Sequence, residues 1–192
     1  MGLLLNSEKG VPKGMFTHEV IQSTLEAARE RLLAHYQAFT PEELEATCTQ
    51  SEAPDGTPWQ PKDHLIHLLS AERSFQKIIK RTLEGNADPT GISSMGLTNG
   101  EEVLEWIHRY NQRTIEAHHN DEMNHLLTEL ARARKDTLAL LAQLTDEQLA
   151  LPVPGAPSYW ADGTIGGLLI TNAHHEILHL SWVEKGLRAS KN

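Results

Sequence analysis

Two stretches of this chain carry side chains that can hold a metal ion between them. DHLIHLLSAE contains His67, and NAHHEILHL, much later in the chain, contains His175 and His179. Residues four apart on a helix share a face, so His175 and His179 can offer two ring nitrogens to one ion. If the helix carrying His67 faces them, three imidazoles converge. Three protein ligands leave a position open for water or substrate, the arrangement of a catalytic rather than a structural site.

At 3.6 residues per turn, Leu168, Thr171, Asn172, Leu178, His179 and Trp182 share a stripe with His175 that mainly faces a core. His67 shares its face with Ala71, Ser74 and Ile78, two of which are small enough to leave room beside an ion. His64 and Asp63 lie one turn before His67, and each is a candidate fourth ligand or outer partner for a ring N–H. Glu72 and Glu176 are further candidates for that outer role. If the site hydrolyses, His64 and Glu176 are the candidate catalytic bases. The bland alternative is a buried histidine bonded to a backbone carbonyl. Eleven histidines make one pair at this spacing common by chance.

Residues 175–179 read HEILH, which formally matches the H-E-x-x-H pattern of zinc proteases. Glu176 would be the base in such an enzyme. No histidine follows His179, and Glu184 is the only later carboxylate side chain, so the protease reading is not favoured. His118, His119 and His125 flank a polar break and read as solvated. His174 points about 100 degrees away from His175. His18, His35 and His108 look like ordinary helix positions. Gly163, Gly166 and Gly167 match neither a phosphate-binding loop nor a dinucleotide fingerprint.

The elements that must position these residues are helices. The spacing of Val20, Ile21, Leu25, Ala28, Leu32 and Phe39 predicts a helix over 17–39, capped by Thr17. Thr40, Pro41 and Glu43 form a capping box for a short turn. SEAPDGTPWQP is a loop. Pro61 opens a second helix running to Glu84 and ended by Gly85. NADPTGISSMGLTNG, residues 86–100, is a long crossover. Residues 101–119 read as helical, and Asp121 can cap a further helix to Leu144; the sequence leaves open whether these are one kinked helix or two. ALPVPGAPSYWADG is a loop, and 164–186 is the last long helix. The fold class expected is all-α: a four-helix bundle, one domain over 1–192, with an extra helical segment in the crossover between the second and third main helices.

The 192 residues are 39% hydrophobic and 22% charged, ordinary for a globular domain. A net charge of −9 argues against nucleic acid as a partner and against an anionic membrane surface. No apolar run is long enough to span a bilayer, and the opening MGLLLNSEKG lacks the basic and apolar regions of a signal peptide. The single cysteine, Cys48, fits a reducing cytoplasm and reads as a small residue at the end of a loop.

With these residues in place, the chain resembles the DinB/YfiT-like superfamily of metal-binding four-helix bundles. The matching stretches are WQPKDHLIHLLSAE, EWIHRYNQR and GTIGGLLITNAHHEILHLSWVEKG, within residues 17–188. Trp59, His67, Leu68 and Glu72 match the family's tryptophan-led loop and following helix, and His175 with His179 match its terminal His-x3-His. The resemblance implies a divalent metal, commonly zinc or nickel, held by His67, His175 and His179 with water completing the shell. It implies frequent homodimers. It also implies relatives that transfer or isomerise with low-molecular-weight thiols, or hydrolyse small-molecule substrates.

Three functions are therefore weighed. A metal-dependent transferase or hydrolase needs an open coordination position, and a transferase needs a thiol from a co-substrate. A binding or sequestering module would show a fourth protein ligand closing the shell. A purely structural bundle would bind no metal.

Overall fold

The computed structural model describes residues 16–47, 50–53, 55–97 and 100–190. Cys48 and the opening MGLLLNSEKG lie outside them. Four long helices do most of the packing: α1 (His18–Ala38), α3 (Pro61–Leu83), α5 (Met123–Leu141) and α7 (Ile165–Ala189). Three more are α2 (Pro41–Leu44), α4 (Gly100–His118) and α6 (Asp146–Leu149), with one 3-10 turn at Ser93–Met95. Among the described residues no strand forms, and none of the helices is long and apolar enough to cross a membrane. α1 packs on α7 and α5, α3 on α5, α7 and α4, α2 on α3, and α6 on α7.

Several helix starts follow the local signals. Thr17 Oγ1 accepts from Val20 N–H at 3.3 Å, and Thr40 and Glu43 exchange side-chain-to-backbone bonds. At α3, Asp63 reaches back to accept from Gln60 N–H at 2.9 Å, while Gly85 leaves the helix with φ +75. Residues 101–144 resolve into two helices, α4 and α5, separated at 119–122. Asp121 does not cap the second of them. Its carboxylate meets His118 Nδ1 at 2.9 Å, and Glu122 takes the cap position without a side-chain bond. α6 was not anticipated, although Thr145 and Gln148 form a capping box at its start. α7 runs past Gly186, which is buried inside the helix next to Val183 and Leu187 rather than ending it.

The glycines that open α7 serve packing. A Cβ on Gly166 would meet Leu149 O at 3.3 Å, and one on Gly167 would meet Asp162 N at 3.0 Å. Thr164 caps this end, donating to Asp162 at 2.6 Å and accepting from Gly167 N–H at 3.0 Å.

Halfway along the long helices the apolar core is interrupted by charge. Arg29 from α1, Glu72 from α3, Arg134 from α5 and Glu176 from α7 are 4%, 0%, 4% and 1% exposed. Arg134 donates to Glu72 and Glu176, both at 2.8 Å, and to Leu25 O at 2.6 Å. Arg29 donates to both carboxylates and to Leu130 O, and Thr137 donates to Glu72 at 2.7 Å. Two cations and two anions, one from each of α1, α3, α5 and α7, neutralise one another where an unpaired charge would be prohibitive. Apolar clusters flank this lock. One is built on Ile21, Leu25, Ile79, Leu168 and Leu169, and the other on Leu32, Leu65, Leu68, Leu130 and Leu180.

Candidate metal centre

α3 and α7 pack against each other, and their inward faces bring His67, His175 and His179 together. His67 Nε2 lies 3.1 Å from His175 Nε2, which lies 2.9 Å from His179 Nε2. A neutral imidazole nitrogen offers one in-plane site, either a lone pair or an N–H. His175 Nε2 can therefore satisfy one of its two neighbours by hydrogen bonding, but not both. A cation shared by the three satisfies all at once. Nitrogens bound tetrahedrally to zinc at about 2.0–2.1 Å would stand about 3.3 Å apart, close to what the rings show.

The electrostatics suit a metal-binding set. Burial pushes the imidazoles of His67, His175 and His179 below the ordinary histidine range, and neighbouring imidazoles add to the effect. They present neutral nitrogens rather than cations. His67 and His179 are buried, whereas His175 is partly open to solvent.

His64 sits behind His179, its Nδ1 2.9 Å from His179 Nδ1. If His179 keeps its Nε2 lone pair for the shared point, its proton resides on Nδ1 and is donated to His64. His64 then carries its own proton on Nε2, a buried atom with no hydrogen-bond partner. His64 is fully buried and burial pushes it down to about 3, so it is neutral. Its place is that of the outer partner that orients a ligand ring. Trp59 packs over this group, its ring centroid 5.3 Å from His64, 5.5 Å from His67 and 6.2 Å from His179. Trp182 covers His179 at 4.6 Å. Phe75 links His175 to Trp160, so the loop before α7 borders the site.

The other sequence candidates go elsewhere. Asp63 holds Gln60 N–H and meets His119 Nδ1 at 3.3 Å. Glu72 and Glu176 belong to the charge lock with Arg29 and Arg134. Glu184 pairs with His35 at 3.0 Å. His18 bonds Leu144 O at 2.7 Å and Asp146 at 3.1 Å.

Two residues at the site were not foreseen. Glu52, in the loop before α3, places Oε2 3.5 Å from His67 Nε2 and Oε1 3.7 Å from His179 Nε2. Asn111, on α4, donates to Glu52 Oε2 at 2.9 Å. Glu52 together with His67, His175 and His179 forms a group able to hold one ion. No periodicity marks a loop carboxylate. The sequence signals for Asn111 are its place one turn before Ile115 on the inner face of α4 and its position within the stretch EWIHRYNQR.

The neutral, buried imidazoles make the metal-free protein sensitive to acid. Unfolded, each histidine takes up a proton near its ordinary value of 6.5; folded His64 resists until about 3. The unfolded state thus binds more protons in that window, and stability rises with pH across it. In chelator, the urea midpoint is expected to fall between about pH 7 and about pH 5. A midpoint unchanged or higher at the acid end would contradict the buried, neutral assignment.

A family model for the DinB superfamily matches residues 24–183 of the chain. No curated protein and no solved structure matches it.

Proposed function

The chain belongs to the DinB superfamily, and from that premise we propose that it is a divalent-metal-dependent enzyme. Its three-histidine site would activate water or a low-molecular-weight thiol toward a small-molecule substrate. The observation that supports this most is the convergence of the Nε2 atoms of His67, His175 and His179 from two helices. Zinc or nickel suits such a donor set. Bound there, the ion would supply Lewis acidity that lowers the pKa of a coordinated water or thiol.

The chain's own residues do the rest. His64 holds the proton of His179 on the outer nitrogen. Trp59 and Trp182 keep water from the back of the site. A substrate would approach past His175, which among the three histidines is the one partly open to solvent. A thiol would come from a co-substrate, since Cys48 is the only one in the chain. We read α1, α3, α5 and α7 as a four-helix bundle with α4 in its crossover, working in the cytoplasm and pairing as a homodimer through bundle helices. The charge of −9 disfavours nucleic acid as a partner.

One observation favours a second reading, a non-catalytic module that binds a metal or small molecule. Glu52 stands where a fourth protein ligand would close the shell. The two readings part in a turnover assay on protein loaded with zinc or nickel. One arm supplies a low-molecular-weight thiol with an electrophilic acceptor, the other a set of activated esters and amides. Turnover that chelator removes and added metal restores supports the enzyme. A stoichiometrically loaded protein inert in both arms would favour the binding module.

A further inference from the structure

Glu52 is held in place by more of the molecule than a surface glutamate needs. Its neighbour Ala53 is buried with Trp59, Ile66, Ile115 and Leu126. Ser51 Oγ donates to Thr57 O at 2.6 Å, and Thr57 N–H donates to Asp55 at 2.9 Å, closing the loop on itself. The carboxylate is then steered by Asn111, a residue only 7% exposed, whose amide donates to Oε2 at 2.9 Å. The result places an anion beside the nitrogens of His67 and His179. At 3.5 and 3.7 Å these are longer than ordinary N–H···O bonds. An anion facing lone pairs is unfavourable unless a cation lies between them.

We propose that Glu52 is the fourth ligand of this centre and the replaceable one, a loop-borne carboxylate that yields its position to an incoming thiolate or water. This rests on the metal-site reading above. The three histidines are fixed on helices α3 and α7, whereas Glu52 comes from a loop and its side chain is 24% exposed. The ligand that meets solvent and lacks helical support is the one that can leave without disturbing the others. A closed resting shell would protect the metal, and an arriving anionic ligand would open it. Asn111 is the positioning residue: it gives the departing carboxylate a hydrogen bond to rest on.

The test measures zinc affinity by chelator competition in the wild type, Glu52→Gln, Glu52→Asp and Asn111→Ala. It also measures azide binding to the cobalt-loaded proteins by visible absorption. The expected result is one equivalent of metal in each. Affinity should be about 10–100-fold weaker in Glu52→Gln, of the order seen when residues supporting a metal site are lost. Glu52→Asp, which retains the charge, should lie between, and Asn111→Ala should show a smaller loss. Azide should bind Glu52→Gln more tightly than wild type, because no carboxylate has to be displaced. Equal zinc affinity and equal azide binding in wild type and Glu52→Gln would overturn the assignment while leaving the three-histidine site standing. A wild type that takes up no metal would instead overturn the site itself, and this inference with it.

Discussion

Alanine at His67, His175 or His179 should each abolish stoichiometric metal binding, with zinc affinity reduced by more than about 100-fold. Loss of an outer partner alone costs 10–100-fold, and these residues stand at the point of convergence itself. The effect should be nearly the same for all three, because each removes one imidazole donor and leaves two imidazoles. The measurement is elemental analysis of purified protein, with chelator competition for the affinities. Thermal melts give an independent readout: a metal that binds only the folded state raises the wild-type midpoint with concentration, and it should leave the three variants unmoved. His174→Ala is the control, since His174 is exposed on the same helix and should bind as wild type does. No metal in the wild type, with content and stability unchanged across the series, would make these ordinary core histidines.

The second large effect lies in the charge lock. Arg134→Ala removes the donor to Glu72 and Glu176 at 2.8 Å each and leaves Arg29 as the one cation for both carboxylates, with Thr137 still donating to Glu72. Breaking a buried pair from one side costs about 3–5 kcal/mol, a large share of the stability of any single domain. Urea denaturation should show this loss, with a much smaller one for Arg132→Ala on the exposed side of the same helix. Glu176 already has one oxygen without a partner, and burial pushes its carboxyl above the usual range. Replacing Arg29, Glu72, Arg134 and Glu176 together by apolar residues of similar volume should cost far less than Arg134→Ala. The penalty comes from an uncompensated charge and not from the absence of the network. A loss below about 1 kcal/mol for Arg134→Ala, the range of exposed pairs, would show that water reaches the lock.

Much of this molecule was legible from local signals because those signals act locally. Thr17, Thr40 and Pro61 mark helix starts through bonds and dihedrals confined to a few residues. Gly85 marks an end for the same reason. Asp121 shows where this fails: two donors compete for one carboxylate, and the His118 ring took the side chain expected to cap α5. Gly186 fails similarly, since a helix that gains apolar burial through Leu187 runs through a residue of poor propensity.

His67, His175 and His179 were legible as a set because helical periodicity decides which side chains share a face, and the inward faces of packed helices tend to meet. Periodicity says nothing of which polar residues meet across a core. Glu72 and Glu176 read equally well as partners of the histidines; only the rotation of α1 and α5, which bring Arg29 and Arg134, drew them into the lock. Glu52 and Asn111 come from a loop and from α4, and their meeting depends on how α4 docks on α3. The sequence by itself thus determined most helix starts and which histidines lie on inward faces. Tertiary packing alone decided which carboxylate faces them, because that choice is made by contacts between segments far apart in the chain.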